Sequence, residues 1–378
     1  MAPDFHNRPI LVFWETTRAC LLACRHCRAS AQREPFPNEL STEEGFALVD
    51  QIVEFGRPAP ILILTGGDCL MRPDITELVH HARERGLHVA ISPSVTPHLT
   101  DARLSSLREA GVRVASISLD GACPQTHDGI RGFDGHFDAT LSAISRLREH
   151  GYKVQVNTTV MASNVEEMAD VAALMRWHGV AIWEVFFLVN VGRGVETRDL
   201  SARDCEDVCH FLVDAARYGF LVRTVEAPFF RRVAAWRREG LVGSGAPSPG
   251  PLHERLHRRL LDQLGPGMMN QNTPVVATRD GSGIIFVGYN GDILPSGFLP
   301  LSLGNVRSHR LADVYQNHPI LQQIRGAYFH GRCGQCDMRQ ICGGSRARAY
   351  AASGDVLGED PACAYVPPPP SPAVLLRA

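Results

Sequence analysis

Along the first 220 residues, short unbroken apolar runs alternate with longer stretches in which apolar residues return every three or four positions. The runs at Ile10–Trp14, Pro60–Leu64, His88–Ile91, Val112–Ser118, Lys153–Val160 and Ile182–Val189 have the length of strands buried in a parallel sheet. Between them the wider spacing predicts helices at Ser41–Phe55, Ile75–Arg85, Ala102–Ala110, Asp138–His150 and Val165–His178, with one more near Ala202–Tyr218. Ser41-Thr-Glu-Glu44 gives the first of these a capping start. Six successive strand–helix units imply an α/β fold, and right-handed crossovers would curl the sheet into a partial (β/α)6 barrel resembling a TIM barrel. A flat doubly wound sheet has the same periodicity. Both architectures gather ligands at the carboxyl ends of the strands.

After residue 220 the rhythm breaks. Phe229–Glu239 and Leu252–Leu264 read as basic helices on either side of the loop Gly243-Ser-Gly-Ala-Pro-Ser-Pro-Gly250, which is expected to be mobile. Gly283–Val287, a turn at Tyr289–Asp292 and Ile293–Leu294 read as a β-hairpin. The expected units are a barrel core over 1–220, a helical linker over 221–275, a cysteine-rich domain over 276–366 and a disordered tail over 367–378.

The net charge of −2 argues against a bulk nucleic-acid binder. No apolar run is long enough to span a bilayer, and the N-terminus lacks an export-signal pattern, so a cytoplasmic location and no membrane partner are expected. Eleven cysteines are many for a reducing compartment, and seven of them cluster towards the two ends, which points to metal. The rest (Cys69, Cys123, Cys205 and Cys209) read as core or filler; the i,i+4 spacing of Cys205 and Cys209 has no further ligands beside it.

Cys20-Leu-Leu-Ala-Cys24-Arg-His-Cys27 follows the first strand. Three thiolates on a short loop can hold three irons of a [4Fe–4S] cube and leave the fourth open, whereas a structural zinc would need a further ligand nearby. This motif, with His26 beside its last cysteine, resembles the radical S-adenosylmethionine superfamily. The resemblance implies that the open iron chelates S-adenosylmethionine, that one electron cleaves the cofactor to a 5′-deoxyadenosyl radical, and that the radical removes a hydrogen atom from the substrate. It also implies a one-electron reductant such as flavodoxin or ferredoxin. Thr65-Gly66-Gly67-Asp68 matches the family's Gly-Gly-Glu-Pro element towards the methionine amino group, with Asp for Glu and Cys69 for Pro. Ser92, Ser94, Ser118, Asn157 and Leu188 fall at strand positions that meet the cofactor in relatives, and Arg131 falls where an arginine meets its carboxylate. Gly192-Arg-Gly194 lacks the full dinucleotide fingerprint.

Cys333, Cys336, Cys342 and Cys363 could saturate one iron–sulfur cluster or one zinc ion. Their pattern resembles the auxiliary-cluster extension called SPASM or twitch, in a one-cluster form, because Ser296 and Ser345 stand where larger versions have cysteines. The segments Thr17–Cys20, Phe187–Gly194, Pro295–Pro300, Gly304–Val306 and Cys342–Tyr350 resemble the superfamily's tetrapyrrole-editing enzymes of the alternative haem and haem d1 pathways. That implies attack on a propionate or acetate arm, followed by decarboxylation or fragmentation. Arginines suit a carboxylate substrate, and Arg193, Arg231, Arg232, Arg346 and Arg348 are the candidates. Rival expectations are maturation of a ribosomally made peptide, or tailoring of a small natural product. Cys20 lies too close to the start for a preceding peptide-binding domain, which weakens the peptide reading. A monomer is expected.

Overall fold

The computed structural model describes residues 4–242, 247–268 and 278–367. Seven strands lie side by side in chain order and all run parallel: β1 (Leu11–Glu15), β2 (Ile61–Thr65), β3 (His88–Ile91), β4 (Val114–Ser118), β5 (Lys153–Val160), β6 (Ile182–Phe187) and β7 (Leu221–Val225). The helices between them are α1 (Thr42–Val53), α2 (Ile75–Glu84), α3 (Asp101–Glu109), α4 (Pro124–Arg131), α5 (His136–Glu149), α6 (Met168–Trp177) and α7 (Ala202–Ala215). Strand order never reverses, so the sheet winds one way as an open barrel and the doubly wound alternative falls away. Ser41 caps α1 with the expected reciprocal bonds to Glu44.

Strand β7 is an element that the apolar pattern misses. It pairs with β6 from Ile182↔Leu221 to Phe186↔Val225, so the barrel sheet continues past residue 220, where the sequence reading ended the core. After α8 (Phe229–Glu239) and α9 (Pro251–Leu264) comes the expected hairpin, β8 (Ile284–Val287) and β9 (Asp292–Leu294), followed by the short β10 (Gly304–Asn305). The hairpin is not a separate sheet: β8 lies parallel to β1, from Leu11↔Ile284 to Trp14↔Val287, giving the strand order β10-β9-β8-β1-β2-β3-β4-β5-β6-β7. Helices α10 (Leu311–Asn317), α11 (Pro319–Arg325), α12 (Gly331–Gln335) and α13 (Arg346–Ser353) complete the described chain. Residues 243–246 of the expected mobile loop, and all but Pro367 of the expected tail, lie outside the described residues. No helix among the described residues is long and apolar enough to cross a membrane.

Each strand has two unlike faces. Val12, Trp14, Leu62, Leu64, Val156, Trp183 and Val185 are fully buried beneath the helices in one large core. The opposite face carries Phe13, Ile63, Ser118, Gln155, Asn157, Thr159, Glu184 and Phe186, all only half-buried. That face lines the inside of the barrel, and its polar residues mark it as a lumen and not as a packed core. Gln155 donates to both Asn157 Oδ1 (2.8 Å) and Glu184 Oε2 (2.9 Å). Burial pushes the Glu184 carboxyl up, against the pull of Arg223 and Gln155.

Candidate active site

The cysteine loop begins where β1 ends. Thr16 donates from its backbone N–H and from Oγ1 to the carbonyl of Thr65, joining the ends of β1 and β2. Gly66 and Gly67 then run against the loop: Gly67 N–H donates to Thr17 O at 2.8 Å and Asp68 N–H donates to Ala19 O at 2.7 Å. A Cβ on Gly67 would stand 2.4 Å from Ala19 O, and one on Gly66 would stand 2.5 Å from Thr17 O. Only glycine allows this approach.

Cys20, Cys24 and Cys27 pack in one small cluster with Leu22 and Ala31. Burial pushes the Cys20 and Cys24 thiols up, with Arg131 opposing it at Cys24. Bare thiolates are therefore disfavoured here, and a metal that carries their charge suits the site. Cys20 Sγ lies 3.7 Å from Ser94 Oγ, which donates to Gly67 O at 3.1 Å.

Asp68, expected to lie towards the methionine amino group, takes its contacts here from the protein itself. It is wholly buried, accepting from Leu70 N–H, Ser94 N–H and Thr96 Oγ1, so a short carboxylate caps the turn after β2 from within. Arg131 is likewise turned inward. Its Nη2 meets Asp120 Oδ2 at 2.6 Å and its Nη1 donates to Cys24 Sγ at 3.6 Å, so it braces the cysteine loop instead of standing free for a carboxylate. His26 Nε2 meets the same Asp120 oxygen at 2.8 Å. Burial alone would raise Asp120, but Arg131 and then His26 overcome it and hold the carboxyl well below its usual range. Behind it, Asp120 N–H donates to His127 Nδ1 and His127 Nε2 meets His136 Nδ1, while burial lowers these two rings to about 3 and about 4.

Ser118 and Asn157 are register partners facing the lumen, and Ser92 Oγ accepts from Ser116 Oγ at 2.7 Å. Leu188 is buried with Ile130 and Met161 at the end of β6. Gly192 lies directly against the cysteine loop, where a Cβ would stand 2.3 Å from Arg28 O.

The five arginines assigned to substrate all have other partners. Arg193 donates to the carbonyls of Cys24 (2.9 Å) and Ala31 (2.7 Å), clamping the cysteine loop from outside. Arg348 donates to Glu226 O and Leu188 O, both at 2.8 Å, tying α13 to the end of the barrel. Arg231 donates to Ile341 O (3.2 Å) and Thr278 O. Arg232 pairs with Glu206 at 2.7 Å, and Arg346 is fully buried beneath the C-terminal cysteines. A long cation with five donors can gather loop carbonyls as readily as a substrate carboxylate, and sequence does not tell the two apart.

Two arginines that the motifs did not single out, Arg18 and Arg28, line a cavity beside the cysteine loop. Both meet Glu15 at the end of β1, at 3.1 and 3.0 Å. Arg18 lies over the Tyr289 ring, 4.5 Å from its centroid, and Arg28 lies over Phe286 at 4.6 Å. The cavity, about 270 Å³, sits between β1, the hairpin and the loop after β6, with Phe298 on its wall. Their places beside Cys20 and Cys27 were the available clue.

At the other end, Cys333, Cys336, Cys342 and Cys363 line one pocket with Arg232 and Asp360. Burial pushes Cys336 up to about 11 and Cys342 up to about 12, so these thiols too suit a charge-carrying metal. Cys69, Cys205 and Cys209 are fully buried core residues.

The family described as the Radical SAM superfamily matches residues 14–177. Among curated proteins, the chain is similar to the AdoMet-dependent heme synthase of Nitratidesulfovibrio vulgaris, 35% identical over 361 residues that cover 94% of this chain and 92% of that protein. It is 30% identical to the Fe-coproporphyrin III synthase of Methanosarcina barkeri, covering 94% and 88%. A more distant relative is the PqqA peptide cyclase of Granulibacter bethesdensis, 26% identical with coverage of 95% and 88%. Among solved structures, Streptococcus suis SuiB bound to S-adenosylmethionine shares the fold, with a TM-score of 0.69 at 15% identity, covering 95% of this chain and 78% of that one.

Proposed function

The chain belongs to the radical S-adenosylmethionine superfamily, and from that premise we propose that it removes a hydrogen atom from a carboxylate side chain of a tetrapyrrole and so drives loss of the carboxylate. The superfamily's [4Fe–4S] cluster and S-adenosylmethionine, when bound, supply a 5′-deoxyadenosyl radical that takes the hydrogen atom. Cys20, Cys24 and Cys27 are the residues that would hold this cluster. Arg131, Arg193 and the Gly66-Gly67 turn fix their loop, and the half-buried lumen face of β4, β5 and β6 lies open to cofactor and substrate. Taking one hydrogen atom from a propionate arm and losing its carboxylate as CO2 leaves an alkene and one electron. Cys333, Cys336, Cys342 and Cys363 would hold a second iron–sulfur centre, which would supply an acceptor for that electron.

The observation that carries the reading is the cavity at Arg18 and Arg28. Its wall carries the Arg18 and Arg28 guanidiniums, both shared with Glu15, and the rings of Tyr289, Phe286 and Phe298, a lining that suits a carboxylate arm beside a flat aromatic edge. The relatedness to heme and Fe-coproporphyrin III synthases supports the same substrate class. We place the enzyme in the cytoplasm, with flavodoxin or ferredoxin as reductant. Anaerobically reconstituted, reduced enzyme should form 5′-deoxyadenosine faster with iron-coproporphyrin, and the porphyrin should lose carboxyl mass. Formation indifferent to every tetrapyrrole would reject the substrate and keep the radical chemistry. The distant likeness to a peptide cyclase favours a second reading, peptide maturation, which a response to a precursor peptide in the same assay would establish.

Arg28→Lys keeps the charge but loses the planar fork. It should raise the tetrapyrrole KM by roughly tenfold while substrate-free S-adenosylmethionine cleavage stays unchanged. An unaltered KM would remove Arg28 from substrate binding.

A further inference from the structure

The guanidiniums around the C-terminal cysteines differ in how their charge is balanced. Arg232, 1% exposed, holds Glu206 through two bonds of 2.8 and 2.7 Å, and its Nη2 also donates to Cys363 Sγ at 3.7 Å. Arg346, 0% exposed, donates to Val356 O at 3.1 Å and Gly358 O at 2.6 Å, while its Nη2 donates to Cys333 Sγ at 3.8 Å. Arg279 gives its Nη1 to the carbonyls of Arg339 and Cys342. Among the described residues Arg231, Arg279 and Arg346 make no ion pair with a carboxylate. Backbone N–H groups also reach the sulfurs, from Asp360 to Cys333 (3.5 Å) and from Met338 to Cys336 (3.4 Å).

At the N-terminal cysteines one guanidinium reaches a sulfur, Arg131 at Cys24 Sγ, and it is paired with Asp120 at 2.6 Å; Arg193 donates to the carbonyls of Cys24 and Ala31, and Leu22 N–H reaches Cys20 Sγ at 3.4 Å. An added electron makes an iron–sulfur centre more negative, so cations and N–H donors at its sulfurs favour the reduced form and carboxylates oppose it.

We infer that Arg346 and Arg232 raise the reduction potential of the auxiliary centre, with Glu206 restraining it, and so favour its uptake of the single electron left when the substrate loses CO2. This rests on the reading that the four C-terminal cysteines hold an iron–sulfur cluster. In this role Arg346 is a tuning residue and touches no substrate.

The test is EPR of anaerobically reconstituted enzyme poised at a series of fixed potentials, comparing wild type with Arg346→Gln and Glu206→Gln. Arg346→Gln should lower the ratio of reduced to oxidised auxiliary centre at least tenfold at a given potential, about 59 mV for a one-electron couple. Glu206→Gln should move the ratio the opposite way, and the N-terminal centre should shift in neither variant. Arg346→Lys should recover part of the loss. If Arg346→Gln fails to hold iron, Glu206→Gln decides alone. Unshifted potentials at full iron content, or shifts of the same sign in both variants, would overturn the tuning. Zinc at these cysteines, with no auxiliary EPR signal, would overturn the cluster reading beneath it.

Discussion

Gly67→Ala should lower 5′-deoxyadenosine formation by at least about a hundredfold while leaving the fold intact. The new methyl group would meet three backbone atoms, Ala19 O at 2.4 Å, Arg18 O at 2.7 Å and Ala19 C at 2.8 Å, none of which can rotate away as a side chain would. Relief requires the loop just before Cys20 to move by about 1 Å, and misplacement on that scale can cost on the order of 10²-fold in rate. The two backbone bonds that join this turn to Thr17 and Ala19 would stretch as well. Gly129 in α4 has nothing within 4 Å of its virtual Cβ, so Gly129→Ala is the silent control. The readouts are deoxyadenosine rate, iron content and circular dichroism. A Gly67→Ala enzyme with normal rate would show that the cysteine loop does not need this close approach.

Asp120→Asn carries the second large effect, this time on stability. The wild-type carboxylate is fully buried and joined to Arg131, to His26 and to Thr159 N–H at 2.7 Å. Removing one partner of a buried pair leaves the other charge uncompensated, at a cost of about 3–5 kcal/mol. Because Arg131 and His26 depress the Asp120 carboxyl despite its burial, the ionised group stabilises the fold at every pH above the ordinary carboxylate range, about 4. That contribution is lost only as pH falls through the depressed folded value. The stability gap between wild type and variant should therefore be present at pH 7 and still present at pH 5 in anaerobic thermal unfolding. A gap that closes between those two values would contradict the depressed carboxyl.

The barrel was legible because its outer face is built from apolar runs under amphipathic helices, and the capped start of α1 was written in Ser41 and Glu44. Strand β7 was not, because Leu-Val-Arg-Thr-Val puts Arg223 in mid-strand and breaks the apolar run. Nor was the parallel pairing of β8 with β1, since register between segments some 270 residues apart leaves no local periodicity. The cysteine loops stood out by spacing alone. The arginines did not, because whether a guanidinium meets a carbonyl, a carboxylate, a sulfur or a cavity depends on chain segments far away in sequence. Alternation in Gln155, Asn157 and Thr159, polar on one face of an otherwise buried strand, was the readable sign of a polar lumen.

The place of β8 also bears on how the chain is made. Strand β1 leaves the ribosome long before the strand that covers its outer edge, which arrives only with residues 284–287. At roughly 5–20 residues per second, that edge waits on the order of tens of seconds with its N–H and C=O groups free to pair with another chain. The cysteine loop grows directly from the end of this strand. Late closure of the sheet leaves a period in which the loop stands beside an uncovered edge, and in which a nascent chain held too long is exposed to edge-to-edge aggregation.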